Sequence, residues 1–131
     1  GGFVAGTRAG WAYNTFLFMD GHLVPEGYFV LTPWYLNLFE NIAAVQFNHR
    51  VLATATLATV LTVCWQSRHL ILGSYGRLSS RLLAVWVFVQ VALGISTLLG
   101  AVPLSLAVAH QAGAVLLLSI LMWFLHELRG S

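Results

Sequence analysis

Three stretches of this chain, 41–65, 82–101 and 104–125, are long and apolar and hold one charged residue between them, Arg50. At about 1.5 Å of helical rise per residue, each is long enough to cross a hydrocarbon core of about 30 Å. A backbone in hydrocarbon must satisfy its own polar groups, so such stretches cross as helices. The expected fold class is therefore all-α, a transmembrane helical bundle in contact with membrane lipid. Composition agrees: 59% of residues are hydrophobic, 8% are charged and none is lysine. A soluble domain of 131 residues could not hide that much apolar surface. Cys64, the single cysteine, excludes an internal disulfide framework and reads as a small buried hydrophobe.

The chain opens on Gly1 without a methionine or a cleavable signal, and it reads as a fragment of a longer membrane protein. Residues 1–10, with Gly2, Gly6 and Gly10 four apart, read as the end of a truncated helix with a smooth packing face. A connection over 10–40 follows, then the three spans. Only Ala101 to Pro103 separates the last two, which predicts a tight antiparallel hairpin with Pro103 at the start of the final helix.

Orientation follows from the arginines. Arg68, Arg77 and Arg81 lie between the first two spans and Arg129 follows the last, whereas the 10–40 connection carries Asp20, Glu26 and Glu40 and no basic residue. Positive connections stay on the side of synthesis, so 10–40 is expected outside, and its length suggests that it caps something there. Arg8, near the outer end of the partial helix, runs against this pattern.

With that topology the first and third spans run in the same direction. His49 lies eight residues after Asn41 and His110 seven after Pro103, so both are expected roughly 10 to 12 Å below the outer interface. An imidazole within hydrocarbon is costly, and two at one depth suggest a shared partner, most simply a haem iron held between them. The plain alternative is a pair of hydrogen-bonded packing residues. Small residues one turn further on, Ala53, Gly113 and Ala114, would leave room for a flat macrocycle, and Gln90 and Gly94 on the middle span could offer a hydrogen bond and a close approach. Arg50 would suit a haem propionate, or else a salt bridge to Glu40 or a headgroup. His22, His69 and His126 fit solvated or interfacial roles. Iron with histidine on both axial sites has no open position, so such a haem carries electrons or holds structure.

These residues carry a resemblance. Glu40-Asn41 with Val45-Gln46-Phe47-Asn48-His49-Arg50, then Gly94-Ile95-Ser96-Thr97-Leu98-Leu99, then His110-Gln111 resemble the C-terminal half of the haem A synthase family. Gly2-Phe3-Val4-Ala5-Gly6 and Tyr13-Asn14-Thr15-Phe16 are similar to the alphaproteobacterial and mitochondrial branch, with Leu17-Phe18 departing where the family usually has proline.

The resemblance implies half of a pseudo-symmetric eight-helix protein of two four-helix bundles. It implies oxidation of the C8 methyl of haem O to the formyl group of haem A, the cofactor of terminal cytochrome oxidases. In this half it implies haem b with iron on His49 and His110 and with Arg50 and Gln111 at the cofactor. No catalytic residue is expected here: Gln46 stands where the other repeat has a glutamate, haem O binds mainly to that other half, and the fragment alone is expected to be inactive. The implied setting is a multi-pass protein of the bacterial inner or mitochondrial inner membrane, in contact with haem O synthase or cytochrome oxidase assembly factors, with no nucleic-acid partner. Two other readings stay open: a cytochrome b-type electron-transfer subunit, and a transporter whose polar path is lined by His49, Arg50 and Gln90.

Overall fold

The computed structural model describes residues 2–6, 8, 11, 12, 15 and 18–129, and among them it forms helices and no β-strand. Gly10, Tyr13, Asn14, Phe16 and Leu17, on which part of the small-residue and loop motifs falls, lie outside the described residues. The short helix α1 (Gly2–Gly6) lies against α2 (Ile42–Ser67), and α3 (Ser74–Leu99) and α4 (Leu104–Arg129) complete the order.

The helices begin and end where local chemistry requires. Asn41 caps α2, its side-chain oxygen accepting the Ala44 amide at 3.2 Å. At the far end of the hairpin the Pro103 carbonyl accepts the Ala107 amide at 3.0 Å and opens α4. The helix α3 starts eight residues before the span read at 82–101, and Arg77 and Arg81 lie in its first turns. The difference is physical: apolar composition marks where lipid begins, whereas backbone hydrogen bonding continues into the interface, where arginine side chains are solvated.

Among the described residues, α3 and α4 are long and apolar enough to cross a membrane. Little of either is buried within the chain, and α4 presents Leu104, Val108, Val115, Leu118 and Met122 outward. A core helix of a soluble protein would cover such a face. In α2 the apolar character is diluted by Gln46, Asn48, His49, Arg50 and four threonines, Thr54, Thr56, Thr59 and Thr62.

Packing is uneven along the bundle. At the end near Gly73, Val60 and Cys64 of α2, Leu72, Leu83 and Val87 beside and on α3, and Phe124 of α4 form one buried cluster. Polar groups there are paired: the Cys64 thiol donates to Ser80 O at 3.5 Å, and the Ser67 and Ser80 hydroxyls lie 3.1 Å apart. Taken as whole helices, α3 meets both α2 and α4 while α2 and α4 make little direct contact. His49 and His110 lie at the other end, where the first turn of α2 is buried.

The connection before α2 is structured. Asp20 and Gly21, both at positive φ, make the tight turn that pairs Met19 with His22. Asn37, fully buried, donates to Leu31 O at 2.8 Å and Trp34 O at 2.9 Å and accepts from Leu31 N at 3.0 Å. Asn41 donates to Asn37 Oδ1 at 2.9 Å and Gly27 O at 2.7 Å. The two asparagines thus bind residues 27–37 to the first turn of α2.

Candidate functional site

His49 of α2 and His110 of α4 are half-buried, with ring centres 6.3 Å apart and ring planes crossed at 87°. A metal–imidazole bond is about 2.0 Å long and a ring nitrogen lies about 1.1 Å from its ring centre, so two imidazoles on opposite sides of one metal would have centres about 6.2 Å apart. Rings joined by a direct hydrogen bond would be closer, at about 5 Å. The observed separation falls in the range of an edge-to-face ring contact and is also wide enough for one metal between the rings.

Among the described residues no group of three or more His, Cys, Asp or Glu side chains could hold an ion.

The middle helix shapes the His110 side. Gln90 Nε2 donates to the His110 carbonyl at 2.7 Å and lies 3.1 Å from His110 Nδ1. A Cβ built on Gly94 would come within 2.9 Å of His110 Cε1, so the ring lies directly over the bare backbone there. Both the hydrogen bond and the close approach that the sequence suggested are present. Gly113 has another use than the one expected: it is buried, a Cβ on it would overlap Gln90 Oε1, and its carbonyl accepts Trp86 Nε1 at 2.9 Å. It serves the α3–α4 contact, while Ala53 and Ala114 are exposed.

On the α2 side, the Tyr28 hydroxyl donates to Asn48 Oδ1 at 2.8 Å, and its ring meets Phe47 edge-on with centres 5.6 Å apart. Arg50 Nη2 donates to Thr15 O at 2.7 Å and Nη1 to Phe18 O at 3.5 Å, so the guanidinium draws the preceding connection over α2. Gln46 is buried, with Oε1 3.5 Å from Arg50 Nη2. Gln111 is exposed on α4, beside His110 in sequence but about 100° around the helix from it. His22 pairs with Glu26 at 3.5 Å, and His69 and His126 are exposed. The structure brings His49, His110, Gln90 and Gly94 together, with Arg50 one residue along.

The contacts that sequence reasoning missed are the asparagine pair Asn37–Asn41, the Tyr28–Asn48 bond and the Trp86–Gly113 bond. Only Asn41, directly ahead of an apolar run, carried a legible signal, that of a helix cap.

The family model described as cytochrome oxidase assembly protein matches residues 1–122. Haem A synthase from Nitrosospira multiformis is 55% identical over 98% of this chain and 36% of the relative. Haem A synthase from Rhodospirillum centenum is 50% identical over 98% of the chain and 34% of its own length. The bovine haem A synthase COX15 is 43% identical over 98% of the chain and 31% of its own length. The chain thus spans about a third of the length of these relatives. No solved structure matches.

Proposed function

This chain belongs to the cytochrome oxidase assembly protein family, and from that premise we propose that the whole protein is a haem A synthase, with this segment holding a haem b between His49 and His110. The carrying observation is the 6.3 Å separation of the two rings. It supports a haem iron that His49 of α2 and His110 of α4 would hold between them, with α3 as the wall beside His110.

A haem held here would supply one-electron chemistry. The residues of the segment would bind, orient and shield it. His49 and His110 would donate a nitrogen each. Gly94 admits the His110 ring. Arg50 ties residues 15–18 across α2 and, with a fork of several donors, can serve a propionate as well as the carbonyls it now meets. Gln111, exposed beside His110, is the outermost member of the proposed set. Oxidation of the haem O methyl to the formyl of haem A falls, in this reading, to the rest of the whole protein. The setting is a bacterial inner or mitochondrial inner membrane.

The test is spectroscopic. The purified protein should show a six-coordinate, low-spin haem, and His49→Ala and His110→Ala should each abolish that signal or convert it to high spin. A signal unchanged in either variant would overturn two-histidine ligation.

A further inference from the structure

We propose that the outward face of α3 is a binding site for an anionic phospholipid, with Arg77 and Arg81 taking the headgroup phosphate and Val85, Phe88 and Ala92 lying along an acyl chain. This face lies opposite the one that meets His110, so the site stands apart from the haem reading.

At about 100° per residue, Arg77, Arg81, Val85, Phe88, Ala92 and Leu99 fall within about 40° of one line along α3. All six are exposed. The other side of the helix holds Gly76, Ser79, Leu83 and Val87, which are buried, and Gln90 and Gly94, which meet His110. Packing against α2 and α4 therefore turns the arginine line outward.

Along that line the chemistry changes once. Arg77 and Arg81 lie one turn apart at the end near Gly73, and the side chains beyond them on the line are apolar. The rise from Arg81 to Ala92 is about 16 Å, close to half of a hydrocarbon core of about 30 Å. A cationic end followed by one leaflet's depth of apolar surface has the profile of a single phospholipid.

Charge selects the headgroup. The helix α3 carries no acidic residue, and neither does the connection from Arg68 to Gly73. Glu127 of α4 is at the packed side, its Cβ 3.7 Å from a Cβ built on Gly76. Among the described residues neither Arg77 nor Arg81 forms an ion pair. Two guanidinium groups one turn apart offer several donors to phosphate oxygens, while their stems follow the helix toward the interface. A zwitterionic headgroup brings a cation of its own to this site, whereas an anionic one brings none. The neighbouring connection fits the same level: Arg68 stacks over Trp65, and Leu70 and Ile71 point outward, Ile71 with 98% of its surface free to enter the acyl layer.

The test is a lipid titration of the full-length protein in detergent, read by native mass spectrometry, with dioleoylphosphatidylglycerol against dioleoylphosphatidylcholine. The wild type should retain the anionic lipid about tenfold better. The double variant Arg77→Gln, Arg81→Gln should lower that preference about fivefold or more, while Arg8→Gln, the same charge change at the other end, leaves it in place. If the double variant does not fold, Arg77→Gln and Arg81→Gln singly should each lower it about threefold. Phe88→Ala should weaken retention of both lipids alike. A preference unchanged in the Arg77 and Arg81 variants, or lowered as much by Arg8→Gln, overturns the site. Displacement of the lipid by an equal concentration of glycerol 3-phosphate would make it a phosphate site without a lipid tail and overturn the assignment. A wild type that retains neither lipid would show the face covered by the rest of the protein, which also overturns it.

Discussion

Gly94 shows how a single missing Cβ sets a functional geometry. The His110 ring lies where that Cβ would be, 2.9 Å from the built position, and no rotamer of another residue at 94 could vacate it because the clash is with Cβ itself. Gly94→Ala therefore forces the ring off α3 and away from its 6.3 Å separation from His49. The expected result is a shift of the haem from low spin toward a high-spin fraction, with about tenfold weaker retention, since displaced outer-sphere contacts cost about 10–100-fold in metal affinity. Absorption and electron paramagnetic resonance spectra check this, and a wild-type spectrum would show that the ring does not need the glycine. The histidines themselves were legible because imidazoles are out of place in apolar runs. Gln90 and Gly94 were legible as a shared face, whereas the Gly113–Gln90 contact was not. The sequence could not say which side of α4 met α3, and a small residue suits a neighbouring helix as well as a macrocycle.

At the scale of elements, the least legible part is the connection ahead of α2. Its Gly, Pro, Tyr and Trp content reads only as a long loop, because its order comes from side chains that find backbone groups several residues away. Asn37 is the hub, with bonds to Leu31, Trp34 and Asn41 and no exposed surface. Asn37→Ala takes the side-chain partner from both the amide and the carbonyl of Leu31, at about 1–3 kcal/mol for each buried group left unmet. Local opening should rise at least about tenfold, since about 1.4 kcal/mol is a factor of ten in population. Limited proteolysis between Gly27 and Leu38 should quicken accordingly, while the α3–α4 hairpin stays resistant. Equal cleavage rates in variant and wild type would show that the asparagine does not hold the connection. The helices, by contrast, were visible as apolar runs, and their ends were missed only where helix continues past lipid, as at Ser74–Arg81.

Across the whole molecule the two ends differ in their charged side chains. The end with the buried cluster of Val60, Leu83 and Phe124 bears Arg68, Arg77, Arg81 and Arg129, with the Arg68 guanidinium stacked 4.2 Å over Trp65. The histidine end bears Asp20, Glu26 and Glu40 and the exposed aromatics Phe29, Trp34 and Tyr35. Arginines held on the side of synthesis and rings at the headgroup level predict one orientation, with the histidine end outward. That orientation also decides how deep His49 and His110 lie and from which surface a propionate would be reached. Cysteines placed singly at Glu26 and His69, both exposed, test it in a Cys64→Ala background. Gly21 is a poorer site for the probe, because its φ of +84° strains any residue with a Cβ. In sealed, right-side-out vesicles Glu26→Cys should react with a membrane-impermeant maleimide at once and His69→Cys only after the vesicles are opened. Labelling of both from the same side would place the two ends in one compartment, and the shared depth of the histidines would then lose its physical basis.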